Sequence, residues 1–270
     1  MFLHQTDSYY IILYYIMNNY IQEYKNSLSP EFCQHVIDLF ESEPNKKPGI
    51  YGTERKIDIS KKKTMDYMLL YTDKNENWLK VEEQLFTEIQ SKLLQYIKHL
   101  EVTTSYNNFS NRHIDMLTDQ GFLISRYIEK DGKFTYHTDN LIDWEHNRSR
   151  VNVFIWYLND VVEGGETEFW GSYKIKPEVG KLVFFPTTWT FPHCGCIPMS
   201  NNKYIITGWL YEYKKENTEK IISIDMKEKM DAFVKLFGGN FQESNDNESN
   251  EEKEEREKFR KSYGRVYYLT

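Results

Sequence analysis

His137 and Asp139 stand two residues apart in the stretch Phe134-Thr135-Tyr136-His137-Thr138-Asp139, and His193 and Lys203 follow far downstream. Two imidazoles and one carboxylate offer three ligands to a divalent metal. They cover one triangular face of an octahedron and leave the opposite positions open. A co-substrate and dioxygen can then meet on one ion, which suits an oxidising iron centre. Alternate side chains share a face on a strand, so His137 and Asp139 can point inward together while Thr138 faces away. His193 must then arrive from a neighbouring strand. Lys203 adds a fixed cation suited to the second carboxylate of a keto diacid. Lys203, Ile205, Thr207 and Trp209 fall on one face of the last predicted strand, with Tyr204, Ile206 and Leu210 on the other. If the first face looks inward, Lys203 is costly unless an anion pairs with it.

The bland readings are weighed residue by residue. A single strand histidine is more often a hydrogen-bonded core residue than a ligand. His146 sits in the polar loop Asp143-Trp144-Glu145-His146-Asn147 and reads as solvated, while His4, His35, His99 and His113 lack ligand spacing. Arg150 reads as a surface or ion-pair residue.

The ordered set as a whole resembles the Fe(II)/2-oxoglutarate-dependent dioxygenases, and among them the prolyl 4-hydroxylase-like branch. The resemblance runs from about Gly121 to Tyr213, with a weaker echo back to about Leu28. It is carried by Ser125-Arg126-Tyr127, His137-Thr138-Asp139, and a strand opened by Arg150 that ends in Tyr157-Leu158-Asn159-Asp160. Gly164-Gly165-Glu166-Thr167-Glu168-Phe169, Pro177 to Gly180, Phe184-Phe185-Pro186, His193, and Lys203 to Trp209 complete it.

The resemblance implies that His137, Asp139 and His193 hold Fe(II) and that Lys203 binds the distal carboxylate of 2-oxoglutarate. Some relatives use an arginine in place of that lysine. Tyr127 and Thr167 match positions that donate hydroxyl hydrogen bonds near the co-substrate, and Trp209 matches a wall of the pocket. The implied reaction consumes O2 and 2-oxoglutarate, releases succinate and CO2, and hydroxylates a C–H bond, with L-ascorbate keeping the iron reduced. Halogenating relatives lack the carboxylate that this chain keeps as Asp139, so hydroxylation is expected. By the same resemblance the substrate is a peptidyl residue, proline first. The alternatives are hydroxylation of a free amino acid or other small molecule, and a non-catalytic module that binds metal or peptide.

Composition bounds the rest. The 270 residues suffice for one well-buried domain with appendages. A net charge of −7 argues against a nucleic-acid binder, whose footprint would be basic. The apolar run Tyr9 to Ile21 is broken by Asn18 and Asn19 and falls short of the ~20 residues of a membrane span. No signal peptide is evident, so a soluble, cytoplasmic protein is expected, without a membrane partner and with no oligomeric state implied. Cys33, Cys194 and Cys196 are odd in number and read as reduced thiols, small fillers rather than zinc ligands.

The elements that must position the site follow from periodicity. Ser29-Pro30-Glu31 is a helix start, and Phe32, Val36, Ile37, Leu39 and Phe40 give it an apolar stripe. A second amphipathic helix spans about 78–100, with Val81, Leu85, Ile89, Leu93 and Ile97 on one side. Residues 45–66 read as an irregular or weakly strand-forming, lysine-rich loop, ordinarily a solvated one; the family resemblance implies instead that it covers the pocket and favours acidic or extended peptides. Short β-type runs follow at 122–128, 134–137, 151–158, 167–170, 182–185 and 204–213, with Asp131-Gly132 as a hairpin signal between the first two. Many short strands preceded by helices fit a mostly β fold with a double-stranded β-helix, or jelly-roll, core. The expected organisation is an N-terminal helical segment over 1–27 and a dioxygenase domain over 28–213, its jelly roll from about 115. A C-terminal helix over 214–240 and an acidic, partly disordered tail over 241–270 would follow.

Overall fold

The computed structural model describes residues 19–52, 55–73, 75–104, 116–144, 146–213 and 265–268. The expected C-terminal helix and most of the N-terminal segment and acidic tail lie outside these residues.

Two helices and fifteen strands make up the described chain. Strand β1 (Gln22–Tyr24) is followed by helix α1 (Pro30–Ser42) and three strands, β2 (Lys47–Pro48), β3 (Lys62–Lys63) and β4 (Met65–Leu69). Helix α2 (Glu76–Thr104) comes next, then β5 (Met116–Thr118), β6 (Phe122–Tyr127), β7 (Lys133–His137), β8 (Ile142–Asp143) and β9 (Arg148–Tyr157). The chain continues through β10 (Thr167–Phe169), β11 (Tyr173–Ile175), β12 (Leu182–Pro186), β13 (His193–Gly195) and β14 (Lys203–Tyr213), and β15 (Val266–Tyr268) is the last strand.

Helix α1 begins where its sequence dictates. The Ser29 hydroxyl accepts from the Phe32 N–H at 3.2 Å, and Pro30 occupies the first turn, where no partner for its nitrogen is needed. At the far end Lys46 Nζ donates to the Phe40 and Glu41 carbonyls, satisfying acceptors the helix leaves open. Both helices bury one stripe. Val36 and Phe40 of α1, and Trp78, Val81, Leu85, Ile89 and Leu93 of α2, pack on one face of the larger sheet.

That sheet has ten strands in the order β1-β12-β9-β14-β6-β4-β2, with β5, β8 and β15 attached off this path. The second sheet has five, in the order β11-β10-β13-β7-β3. All pairings within both are antiparallel. The fold is the expected mostly β jelly roll. Strand alternation divides the core in two. On β9, Phe154 and Trp156 face the helices, while Val153, Ile155 and Tyr157 face the gap between the sheets. The site lies in that gap.

Three local expectations change. Gln22–Tyr24, expected in a helical segment, pairs with Leu182–Phe184 as an edge strand. Val266–Tyr268, placed in the acidic tail, returns to pair with Met116–Thr118, where Arg265 grips the buried Glu82 of α2 through two hydrogen bonds. Asp131-Gly132 does not close a hairpin, because β6 and β7 belong to different sheets. Lys130 takes the positive φ (60°), and Gly132 lets the chain pass close to itself, since a Cβ there would lie 2.5 Å from the Ile128 nitrogen. The turn is a corner between sheets.

Candidate active site

The smaller sheet supplies the three candidate metal ligands. In the register, His193 of β13 stands opposite His137 of β7 on one side and Phe169 of β10 on the other. Asp139 follows two residues beyond His137, and the exposed Thr138 between them points away. Ligand atoms of His137, Asp139 and His193 all lie within 4.8 Å of one another, and His193 Nε2 is 3.3 Å from Asp139 Oδ2.

Each ring is oriented by its own backbone. His137 Nδ1 lies 2.8 Å from the Thr135 carbonyl, and His193 Nδ1 lies 3.1 Å from the Phe191 carbonyl. A carbonyl can only accept, so each Nδ1 carries the proton and each Nε2 lone pair is left for the shared centre. Phe134 stacks on the His137 ring at 3.6 Å between centroids and fixes its plane. Burial, followed by the charge of His193, pushes the His137 pKa down to about 4, so the ring is neutral as a ligand requires. Burial is also the largest influence on Asp139 and would raise it. The two imidazoles, Arg150 and a Trp209 hydrogen bond outweigh burial and hold Asp139 below the usual carboxylate range.

The larger sheet faces these ligands with Tyr127 of β6, Ile155 of β9, and Lys203, Ile205, Thr207 and Trp209 of β14. The face predicted from alternation along 203–209 is therefore the inward one. Trp209 Nε1 donates to Asp139 Oδ1 at 2.9 Å, and the Arg150 guanidinium covers the Trp209 ring at 4.1 Å while donating to the Tyr211 hydroxyl. Lys203 is 1% exposed. Its Nζ donates to the Gly165 carbonyl at 2.9 Å and lies 4.1 Å over the Tyr127 ring. Among the described residues no carboxylate lies within ion-pair distance, and Glu166 acts only at longer range. Burial pushes the Lys203 pKa down to about 8. Thr167 is buried beside it, its hydroxyl accepting from Tyr157 at 2.6 Å.

The structure thus gathers all seven residues singled out in the sequence around one pocket. Trp209 differs from expectation in detail: it holds the carboxylate of Asp139 as well as walling the pocket. Gly164 and Gly165, with φ of 71° and 74°, make the turn that presents the Gly165 carbonyl to Lys203. His146 is bonded to Asp143, apart from the triad. Arg150 touches the site through Trp209, where the sequence suggested only a surface or ion-pair role. Lys62 lies in the segment expected to cover the pocket and does line it, but as a buried residue rather than part of an irregular loop. It is 6% exposed, pairs with Asp66 at 2.7 Å and lies 5.2 Å from the Phe134 ring. Strand β3 is two residues long, too short for periodicity to reveal it. Tyr157 was missed, although its alternation with Val153 and Ile155 marks it as inward-facing.

The fold is a jelly roll with a His-Asp-His cluster that could hold a metal ion between its sheets. Residues 122–211 match the family model of the 2OG-Fe(II) oxygenase superfamily. The chain is similar to probable prolyl 4-hydroxylase 10 of Arabidopsis thaliana, at 24% identity over 224 residues, 71% of this chain and 69% of that protein. In structure it is similar to a Trichoplax adhaerens prolyl hydroxylase in complex with a hypoxia inducible factor peptide fragment. The TM-score is 0.55 and the identity 16%, covering 78% of this chain and 94% of the other. A viral collagen prolyl hydroxylase from Paramecium Bursaria Chlorella virus-1 also matches, with a TM-score of 0.48 and 19% identity over 72% of this chain and 96% of the other. Among the described residues no helix is long and apolar enough to cross a membrane.

Proposed function

We propose that the chain hydroxylates a C–H bond of a peptidyl residue, proline first, with Fe(II), O2 and 2-oxoglutarate, releasing succinate and CO2. The observation that carries this reading is Lys203, a buried cation with no carboxylate at ion-pair distance among the described residues, lining the same pocket as His137, Asp139 and His193, whose ligand atoms lie within 4.8 Å of one another. A diacid that chelates a metal with one end and meets an ammonium with the other fits that pocket.

The donor set fits Fe(II). Two neutral imidazoles and a carboxylate are the ligand types this ion takes with open positions, and their separations leave room for one shared centre. His137, Asp139 and His193 would hold it, and bound iron would supply activation of O2 coupled to decarboxylation of the keto acid. The remaining residues bind and orient. Lys203 would hold the distal carboxylate, with the Thr167 hydroxyl and the face of the Tyr127 ring beside it. The Tyr157 hydroxyl, already donating to Thr167, orients the Thr167 proton outward. Trp209 keeps one Asp139 oxygen engaged and leaves the other to serve as a ligand. The apolar Ile155, Ile205 and Phe134 exclude water from this end of the pocket. Ascorbate enters as the external reductant that restores Fe(II).

A peptide substrate is supported by the similarity to prolyl hydroxylases, one of them in complex with a peptide fragment. Succinate formation from 2-oxoglutarate with Fe(II) and ascorbate tests the reaction, in native protein and in His193→Ala. Proline-containing peptides against free proline and other amino acids test the substrate class. Succinate from the native protein alone is the expected result. Equal turnover in both proteins overturns the ligand assignment, and stimulation by free amino acids but never by peptides overturns the peptidyl reading.

A further inference from the structure

Cys194, on the strand that carries His193, and Cys196, just beyond its end, flank Gly195, and their Sγ atoms lie 3.9 Å apart. Both thiols are free and half-buried, whereas Cys33 is fully buried in the helical layer. The function described above uses none of the three.

We propose that Cys194 and Cys196 form a reversible disulfide, and that the closed form weakens metal binding at the neighbouring His193. Two residues of extended strand span about 6.6 Å, near the upper end of the Cα separations that disulfides accept, about 6.8 Å. The sulfurs must move from 3.9 Å to about 2 Å apart, so the backbone must bend between them. Gly195 supplies that freedom. The register between β13 and β7 is already irregular between His193 and Gly195, so this is where the strand yields. A bend there turns the residue just before it, His193, away from His137 and Asp139.

The oxidant is a low-molecular-weight disulfide such as glutathione disulfide. One cysteine sulfur attacks it and releases one small thiol, and the second cysteine attacks the mixed disulfide and releases the other. Cys194 and Cys196 together lose two electrons and two protons, and the small disulfide is reduced to two thiols.

The disulfide is independent of the proposed function; its effect on metal rests on the ligand role of His193. Native protein and Cys33→Ser, Cys194→Ser and Cys196→Ser variants are incubated without metal in glutathione disulfide at pH 8.5, then digested with trypsin. Residues 182–203 contain both cysteines and no internal lysine or arginine. That fragment should lose two mass units in the native protein and Cys33→Ser, and in neither of the other variants. Co(II) and Fe(II) affinity, measured by titration of the intact protein, should fall at least tenfold on oxidation and recover with dithiothreitol. Circular dichroism before titration confirms that each protein is folded. An unchanged 182–203 fragment, or a disulfide that uses Cys33, overturns the proposal. A 182–203 disulfide with metal affinity unchanged within twofold overturns the coupling. Reduced native protein that binds neither metal sinks the proposed function, and the coupling with it, while the mass result still decides the disulfide.

Discussion

Replacing Lys203 by methionine should push stability and co-substrate affinity in opposite directions. Lys203 is buried without a carboxylate partner, and burial lowers its pKa from 10.5 to about 8. At about 1.4 kcal/mol per tenfold change, keeping it charged below pH 8 costs the folded state about 3 kcal/mol. Methionine has a similar volume and no charge, so that cost disappears. Against this, the Gly165 carbonyl loses its charged 2.9 Å donor, worth about 1.5–3 kcal/mol. The ligand-free variant should therefore be at least as stable as native, gaining up to about 1.5 kcal/mol, or up to roughly 3–6 °C in melting temperature for a chain of this size.

Loss of a hydrogen bond between charged partners, about 1.5–3 kcal/mol, should meanwhile weaken 2-oxoglutarate binding by roughly 10- to 100-fold. Differential scanning calorimetry and calorimetric titration of 2-oxoglutarate measure the two effects separately. The pH dependence gives a third check. The unfolded lysine keeps its proton up to 10.5 and the folded one up to about 8, so the unfolded state binds more protons between these values. Native stability should gain from this group as pH rises from about 8 to 10.5, and the variant should lose that gain. A methionine variant that melts lower than native without ligand would refute the uncompensated-charge argument. Unchanged 2-oxoglutarate affinity would refute the role of Lys203.

Three further outcomes follow from other contacts. Trp209→Phe keeps the ring under Arg150 but removes the 2.9 Å donor to Asp139; Fe(II) affinity by titration should fall about 10-fold or more, and a change within twofold would show that Asp139 needs no such support. Asp119 is buried and its pKa is raised from 3.8 to about 6, chiefly by desolvation. Its raised value means stability is present in acid and lost as pH rises through about 6, by about 3 kcal/mol; Asp119→Asn should flatten this fall in urea melts between pH 4 and 7. Gly208→Ala would place a Cβ 2.0 Å from the buried Phe154 ring; it should destabilise by about 1–3 kcal/mol, and an unchanged urea midpoint would show that β14 can shift freely.

The long strands and both helices were legible because their patterns are long. Helix α2 repeats its apolar positions from Trp78 to Leu100, about six turns, and β9 and β14 are apolar-rich runs of 10 and 11 residues. Alternation alone placed Lys203, Ile205, Thr207 and Trp209 on one face, and that face lines the pocket. Strands β3, β8 and β13 are two or three residues long, and a period of two cannot be seen in so few. The Asp131-Gly132 signal misled for a related reason. It reports a tight turn, but whether a turn joins neighbours or carries the chain between sheets depends on pairings formed far along the sequence. The same holds for Lys62, whose burial depends on a partner, Asp66, held by the pairing of β4 with β6.

The two sheets divide the work, and their spacing is therefore part of the site. His137 and His193 come from β7 and β13 of the smaller sheet, and Asp139 follows directly from β7; Lys203 and Trp209 come from β14 of the larger. Only the Trp209 hydrogen bond to Asp139 joins the two sets directly, at 2.9 Å. A bond of that length tolerates a displacement of a few tenths of an ångström before it weakens. What fixes the gap is aromatic packing. Phe185 of the larger sheet meets Phe169 of the smaller edge-on at 4.9 Å between centroids, and both rings contact His193, at 4.8 and 5.3 Å. These rings seat a metal ligand and set the distance between sheets at once. Close-packed interiors change spacing only by rearranging neighbours. The residues proposed to hold the metal and those proposed to hold the co-substrate are consequently locked to one another by the core between them, with the helices packed on the far side of the larger sheet.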